Sequence, residues 1–436
     1  MNSFFWRVVW SVVLALFIGT ASPITLAQRA QDRERWVGTW ATAVVARLPQ
    51  AAPVGVQGSQ GTPPPPQLHF NNQTLRQIVH TSLGGDQLRV VLSNAFGSVP
   101  LEVGAVRVAL RDRGAAIVPG SDRSVTFAGS PVTTIPPGAI AVSDAVSLRV
   151  PALADLALDL YLPGDTAATK SPLTVHTGSL QTNYLSPPGN HTGVVELPVL
   201  TTTGSWFFLA RVEVAVSEPA GAIVALGDSI TDGTRSTPDT NSRWPDILAG
   251  RLAAQKVRMA ALNAGIGGNQ VLGDFSPGMN ALARLDRDVL MQTGVTHVIV
   301  MEGINDIRRW RDVGRTTAPT TAELIAGHKQ IILRARARGL RIYGATLTPC
   351  EGNNFCTPEM EATRQALNAW IRTGSAYDGV IDFDAAVRDP ERQGRLLPRF
   401  DSGDNIHPND AGYRAMANAI KLEHFKPDSG TPLSSR

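Results

Sequence analysis

The chain has 436 residues, more than one ordinary domain of roughly 150 residues would use. It is 43% hydrophobic and 18% charged, the composition of a globular chain able to bury a sizeable core. Its net charge is only +3 and no basic run stands out, which gives no case for a nucleic-acid partner.

The chain begins with a targeting pattern. Arg7 supplies a positive charge, residues 8–18 are uncharged and mostly apolar, and Thr25-Leu26-Ala27 offers small residues at a cleavage site. The apolar run is shorter than the roughly 20 residues of a spanning helix. Residues 1–27 are therefore expected to be a signal peptide, with an uncleaved membrane anchor as the alternative. The mature protein is expected to be secreted or periplasmic, with no stable membrane span.

Residues 36–217 read as an all-β, sandwich-like domain. Leu88, Val90 and Leu92 share one face of a two-residue period, as do Val106, Val108 and Leu110. Leu156, Leu158, Leu160 and Leu162 repeat the pattern, and so do Trp206, Phe208, Ala210, Val212 and Val214. Such alternation predicts strands with one buried face. Turns such as Pro136-Pro137-Gly138 and Pro187-Pro188-Gly189 separate the runs. Residues 49–67 form a Pro-, Gly- and Gln-rich insert that reads as an exposed loop.

After residue 218 the period changes. Short apolar runs at 222–226, 258–262, 296–301, 341–346 and 379–383 read as strands. Helical spacing appears at 244–254, 321–338 and 360–373. Alternation of this kind predicts a flavodoxin-like parallel sheet with helices on both faces, over residues 218–425. Residues 426–436 read as a flexible tail.

Four segments carry polar groups where chemistry can occur. Gly227-Asp228-Ser229 follows the first strand, so Ser229 sits where backbone N–H groups are unpaired. A helix N-cap is the equally weighted alternative for Ser229. Asn263 to Asn269 is a glycine-rich turn, with a plain strand-to-helix connection as its bland reading. Gly303-Ile304-Asn305-Asp306 offers a carboxamide donor, or a cap. Asp404 and His407 lie three residues apart, a spacing at which a carboxylate accepts from an imidazole and leaves the other ring nitrogen as a base. Asp401 is the less apt carboxylate. Cys350 and Cys356 are the only cysteines, and in an exported chain they are expected to be bridged. No cluster of His, Cys, Asp and Glu has metal-ligand spacing, so no cofactor is expected.

Taken in order, these four segments resemble the blocks of the GDSL, or SGNH, hydrolase family. Ile230 stands where the family name has Leu, and Ser229 has no Gly-x-Ser-x-Gly elbow, which disfavours a standard α/β-hydrolase. The resemblance implies Ser229 as nucleophile, His407 as base and Asp404 as its orienter. It also implies oxyanion donors from the Ser229 and Gly268 N–H groups and the Asn305 side chain. With the β-rich half opening Trp36-Val37-Gly38-Thr39-Trp40, the chain is similar to a secreted xylan-esterase-like branch. That implies an ester substrate such as acetylated polysaccharide, cleaved through an acyl-enzyme. The alternatives are an aryl-esterase or lipase-like enzyme, and an inert glycan-binding surface protein.

Overall fold

The alternating runs of the first half do become antiparallel strands, but both of their faces are covered. The computed structural model describes residues 35–49, 69–274 and 278–426. The signal-peptide segment, residues 50–67 of the insert and residues 427–436 of the tail lie outside them. Among the described residues, no helix is long and apolar enough to cross a membrane.

The β-rich half forms antiparallel sheets of six, four, three and two strands among the described residues. At the centre of the largest, Asp155–Asp165 pairs with Asn71–His80 on one side and Ala105–Leu110 on the other. Leu156, Leu158 and Leu160 enter the main core with Val106 and Val108. The opposite face was expected to meet solvent, yet Ala157 and Asp159 are buried too. Ala157 packs with Ile78, Ala109 and Tyr184. Asp159 takes two hydrogen bonds from Arg76, at 2.7 and 2.8 Å. The same guanidinium donates to the Val194 carbonyl at 2.8 Å, so the connection carrying Val194 roofs that face. A long connection folded back over a sheet leaves no mark on strand periodicity.

The run from Trp206 to Val214 departs from expectation in a second way. It is two strands, Ser205–Phe207 and Leu209–Val216, in different sheets. Phe208 between them has φ +56°, and this left-handed residue redirects the chain.

From Gly221 the parallel sheet begins. Its strands are β1 (Gly221–Gly227), β2 (Met259–Gly265), β3 (Val295–Met301), β4 (Arg341–Ala345) and β5 (Gly379–Ile381). Their spatial order is β2-β1-β3-β4-β5, the flavodoxin-like order expected from the sequence. β1 is buried along its whole length, as a central parallel strand must be. The helices that matter for the site are α1 (Ser229–Asp232), α2 (Trp244–Ala254), α3 (Ile304–Arg308), α4 (Thr321–Ala337), α5 (Pro358–Thr373) and α6 (Asp410–Ala419). α4 starts with a capping box, in which Thr320 and Glu323 satisfy each other's backbone N–H.

The two halves meet closely, and the described residues from Arg35 onward form one compact unit. The Gly38 N–H donates to the Thr293 carbonyl at 2.8 Å. The Ala261 N–H, on β2, donates to Ser82 Oγ at 3.2 Å. Thr182 gives both its N–H and its hydroxyl to Asp239, at 2.6 Å each.

Register fixes where the strands end. Gly227 lies opposite Gly265 on one side and Met301 on the other, so three segments leave the sheet at one level. Gly265 has to be glycine. A β carbon there would lie 2.2 Å from the Asp232 nitrogen and 2.7 Å from its Cα, both backbone atoms. Gly265→Ala should therefore destabilise the fold by about 1–3 kcal/mol or more, read as a lower urea midpoint. Gly250→Ala, in α2 where a β carbon meets nothing within 4 Å, should hold or raise that midpoint.

Candidate active site

Asp228, and not Ser229, caps the turn after β1. Asp228 Oδ1 accepts from the Ile230 N–H at 2.9 Å. The capping alternative for Ser229 is thereby excluded, and its hydroxyl is free for other work. α1 is a single turn that stops at Gly233, φ +99°. A turn this short has little macrodipole, so the expected help to an anion comes from its local N–H groups instead. The Ser229 N–H has no acceptor among the described residues.

The second polar segment precedes α6. Asp401, the less apt carboxylate, is used up in shaping it: Oδ1 accepts from the Gly403 and Asn405 N–H groups at 3.0 and 3.1 Å. Asn405 takes φ +61°, and the turn brings Asp404 round to His407. Asp404 Oδ1 accepts from the His407 and Ile406 N–H groups at 2.9 and 3.1 Å. Asp404 Oδ2 lies 2.7 Å from His407 Nδ1. On the far side of the ring, Nε2 lies 2.9 Å from Ser229 Oγ. The structure thus brings Ser229, His407 and Asp404 into one hydrogen-bonded line.

Electrostatics suit this line to proton transfer. Burial pushes the His407 ring below its ordinary value of 6.5, and the Arg308 and Arg235 guanidinium groups push the same way against Asp404. The ring is therefore neutral at pH 7 and can accept a proton. Burial would raise the Asp404 carboxyl, but the His407 N–H, the His407 ring and the Ile406 N–H outweigh it and hold it at about 2. An ionised Asp404 requires the Nδ1 hydrogen on its own side, which leaves the Nε2 lone pair facing Ser229.

Gly268 and Asn305 stand at the other strand ends. Gly268 has φ +78°, and its N–H has no acceptor among the described residues. Asn305 lies inside α3 and caps nothing; Gly303 holds the cap position. One Asn305 Nδ2 hydrogen goes to the Asn269 carbonyl at 3.1 Å, which ties α3 to the glycine turn. The other is available. Asp306 strengthens that tie, for its two oxygens accept from the Val271 and Leu272 N–H groups at 2.7 and 2.8 Å.

Beneath these groups lie three buried acids. Burial raises Asp228 and Asp306 to about 7 and Glu302 well above the carboxylate range. The floor therefore carries less negative charge than three acids would suggest, which matters where a negative oxygen would form. Arg284, fully buried, adds a positive charge and ties the strand ends together. It donates to the carbonyls of Ala264 and Gly227, at 2.7 and 3.0 Å, and to Asn269 Oδ1 at 2.9 Å.

Residues 225–415 match the model of the GDSL-like Lipase/Acylhydrolase family. This is a GDSL-like lipase/acylhydrolase domain. With it, the chain is a carboxylic ester hydrolase. Solved structures similar to it include a variant of an acetyl xylan esterase from Geobacillus stearothermophilus, 24% identical, covering 48% of this chain and 99% of that one at a TM-score of 0.38. A GDSL-like lipase from Bacteroides thetaiotaomicron is 18% identical, covering 46% of this chain and 86% of that one at a TM-score of 0.36. No curated protein matches the sequence.

Several residues of the GDSL-like domain and its surroundings carried no sequence signal. Arg284 and Arg308 look like ordinary helical arginines. His176, from the β-rich half, places Nε2 3.0 Å from Asp232 Oδ1 at the end of α1. Only the motif spacing around Asp232 could have drawn attention to it. Cys350 and Cys356 are bonded to each other. Their sulfurs and Glu361 form the one grouping with metal-ligand spacing among the described residues, but the sulfurs are spent and Glu361 pairs with Arg364.

Arg235 lies 3.4 Å from Asp404 Oδ2 and adds to the field that disfavours a charged His407. Arg235→Gln should therefore raise the His407 titration midpoint, measured by NMR on the ring protons. In the unaltered protein that midpoint should fall below 6.5.

Proposed function

We propose that this ester hydrolase is a secreted serine esterase that removes short acyl groups, O-acetyl foremost, from carbohydrate through an acyl-enzyme. The observation that carries the mechanism is the 2.9 Å contact between Ser229 Oγ and His407 Nε2, with Asp404 on the opposite ring nitrogen. In this reading His407 removes the Ser229 proton as the oxygen attacks the ester carbonyl. The tetrahedral oxyanion accepts from the Ser229 and Gly268 N–H groups and from Asn305 Nδ2. Protonated His407 gives its proton to the departing alcohol. Water, deprotonated by the same ring, then releases the acid.

Support for a polar, short-chain ester comes from the side chains nearest the line. Arg235, Asn305, Arg308 and Asn353 are polar, and a long acyl chain would need an apolar wall beside them. An aryl ester is the second reading, and exposed Phe355 favours it: its ring lies 5.7 Å from the Arg308 guanidinium carbon. Export is supported by the 1–27 pattern and by a disulfide, which persists in oxidising compartments. We also take residues 36–217 and 218–425 as two domains joined through a broad interface.

A fluorophosphonate probe should label the protein and fail to label Ser229→Ala. On acetylated xylan, p-nitrophenyl acetate and long-chain p-nitrophenyl esters, rates should fall steeply with acyl length. A clear preference for long chains would sink the carbohydrate reading. Asn305→Ala should lower kcat about a hundredfold or more, near 3 kcal/mol, and the lost bond to Asn269 should also cost about 1–3 kcal/mol of stability, read as a lower melting temperature.

A further inference from the structure

We propose that Asn353 is a positioning residue that ties the oxyanion side of the site to its acid–base side, and that the Cys350–Cys356 bridge holds it there. The inference rests on Ser229, His407 and Asn305 acting as described above. Asn353 is the middle residue of the loop that the bridge closes. Its Nδ2 donates to the Asp404 carbonyl at 2.8 Å. Its Oδ1 accepts from Arg308 Nη2 at 2.7 Å. Arg308 Nη1 in turn lies 3.4 Å from Asn305 Oδ1. One carboxamide therefore grips the main chain of the carboxylate partner and the guanidinium that faces the oxyanion amide.

Arg308 depends on this grip. It is partly buried, its Nε has no partner, and no carboxylate lies within ion-pair reach among the described residues. The bond to Asn353 is its shortest. Without it only the exposed Phe355 ring, 5.7 Å from its carbon, steadies the guanidinium near Asn305 Oδ1. The Asn305 amide then loses the donor that keeps its oxygen turned away and its Nδ2 turned toward the glycine turn and the reacting carbonyl.

The loop is built to hold Asn353 still. The Asn353 N–H donates to the Cys350 carbonyl at 3.1 Å, and the Cys356 N–H to the Asn353 carbonyl at 2.9 Å. Asn353 Oδ1 also accepts from the Phe355 N–H at 3.1 Å. Gly352 takes φ +98° and sits against the Asn405 side chain, inside the segment that presents Asp404 and His407. With the bridge open, the ends of a short, exposed loop would part, and the Asn353 side chain with them.

The test uses the full mature protein and p-nitrophenyl acetate. Asn353→Ala should lower kcat about tenfold to a hundredfold, the size expected for a small misplacement of reacting groups, while KM stays within about threefold. Asn353→Asp keeps an acceptor for Arg308 but sets a carboxylate beside it. Its acid limb of kcat/KM should therefore move to higher pH, which a purely structural role would not produce. Replacing both cysteines by serine should lower kcat in the Asn353 background and add nothing in the Asn353→Ala background. If Asn353→Ala does not melt cooperatively, Asn353→Ser reads the same comparison. The proposal is overturned if kcat stays within about twofold, or if losing the bridge costs the same factor in both backgrounds. A wild-type protein that fails to label at Ser229 sinks the serine-esterase reading instead, so the two failures are distinct.

Discussion

The hydrogen bond from Ser229 Oγ to His407 Nε2 joins residues 178 positions apart, and the site exists only if both ends are held where they are. Neither end has much freedom. Ser229 is fixed by β1, by the Asp228 cap and by the glycine at 265 that lets the α1 backbone lie against β2. His407 is fixed by a turn in which Asp401 shapes the backbone and Asp404 grips both the ring and the N–H groups. Rigid support of this kind is what lets a weak nucleophile and a weak base meet at bonding distance before any substrate arrives.

Arg284 explains why three strand ends behave as one platform. A parallel sheet leaves its last carbonyls unpaired where the strands stop, and buried carbonyls need partners. A single guanidinium supplies them for β1 and β2 and reaches Asn269 as well. Its own charge is met by Asp288 at 3.3 Å, while the Glu302 carboxyl, 3.6 Å away, is held toward its neutral form by burial. Burial neutralises much of the remaining acid nearby, so little net negative charge survives beneath Ser229. The floor that holds the strands in register thus also favours an electron-rich oxygen above it.

The parallel half was legible because each of its parts writes itself locally. The limits of α2, 244–254, follow from helical spacing alone, and the parallel sheet follows from alternation of strand and helix. The Asp404–His407 pair was legible because both members lie on one turn. Arg308, Asn353 and His176 were not, because their partners are 45, 51 and 56 positions away and no period links them. In the β-rich half the strands were legible and their packing was not. Asp159 sits at an outward position of its strand, and Arg76 on the neighbouring strand together with the Gly193 N–H makes its burial tolerable. Asp384 is a similar case. It reads as a turn former, yet it lies in a buried cluster with Arg364 and Arg372.

The β-rich half reaches the chemistry through one imidazole. His176 Nδ1 lies 2.7 Å from the Ala43 carbonyl, which can only accept, so that nitrogen carries a hydrogen. Nε2 lies 3.0 Å from Asp232 Oδ1, within hydrogen-bonding distance. This contact, buried beside Trp206, joins the β-rich half to the last residue of α1. Breaking such a contact leaves buried polar groups unpaired, which costs more than losing an exposed pair. Asp232 cannot move without α1, and α1 begins with Ser229. The position of the serine is therefore set from two directions, by the sheet below it and by a neighbour that the parallel fold alone does not contain.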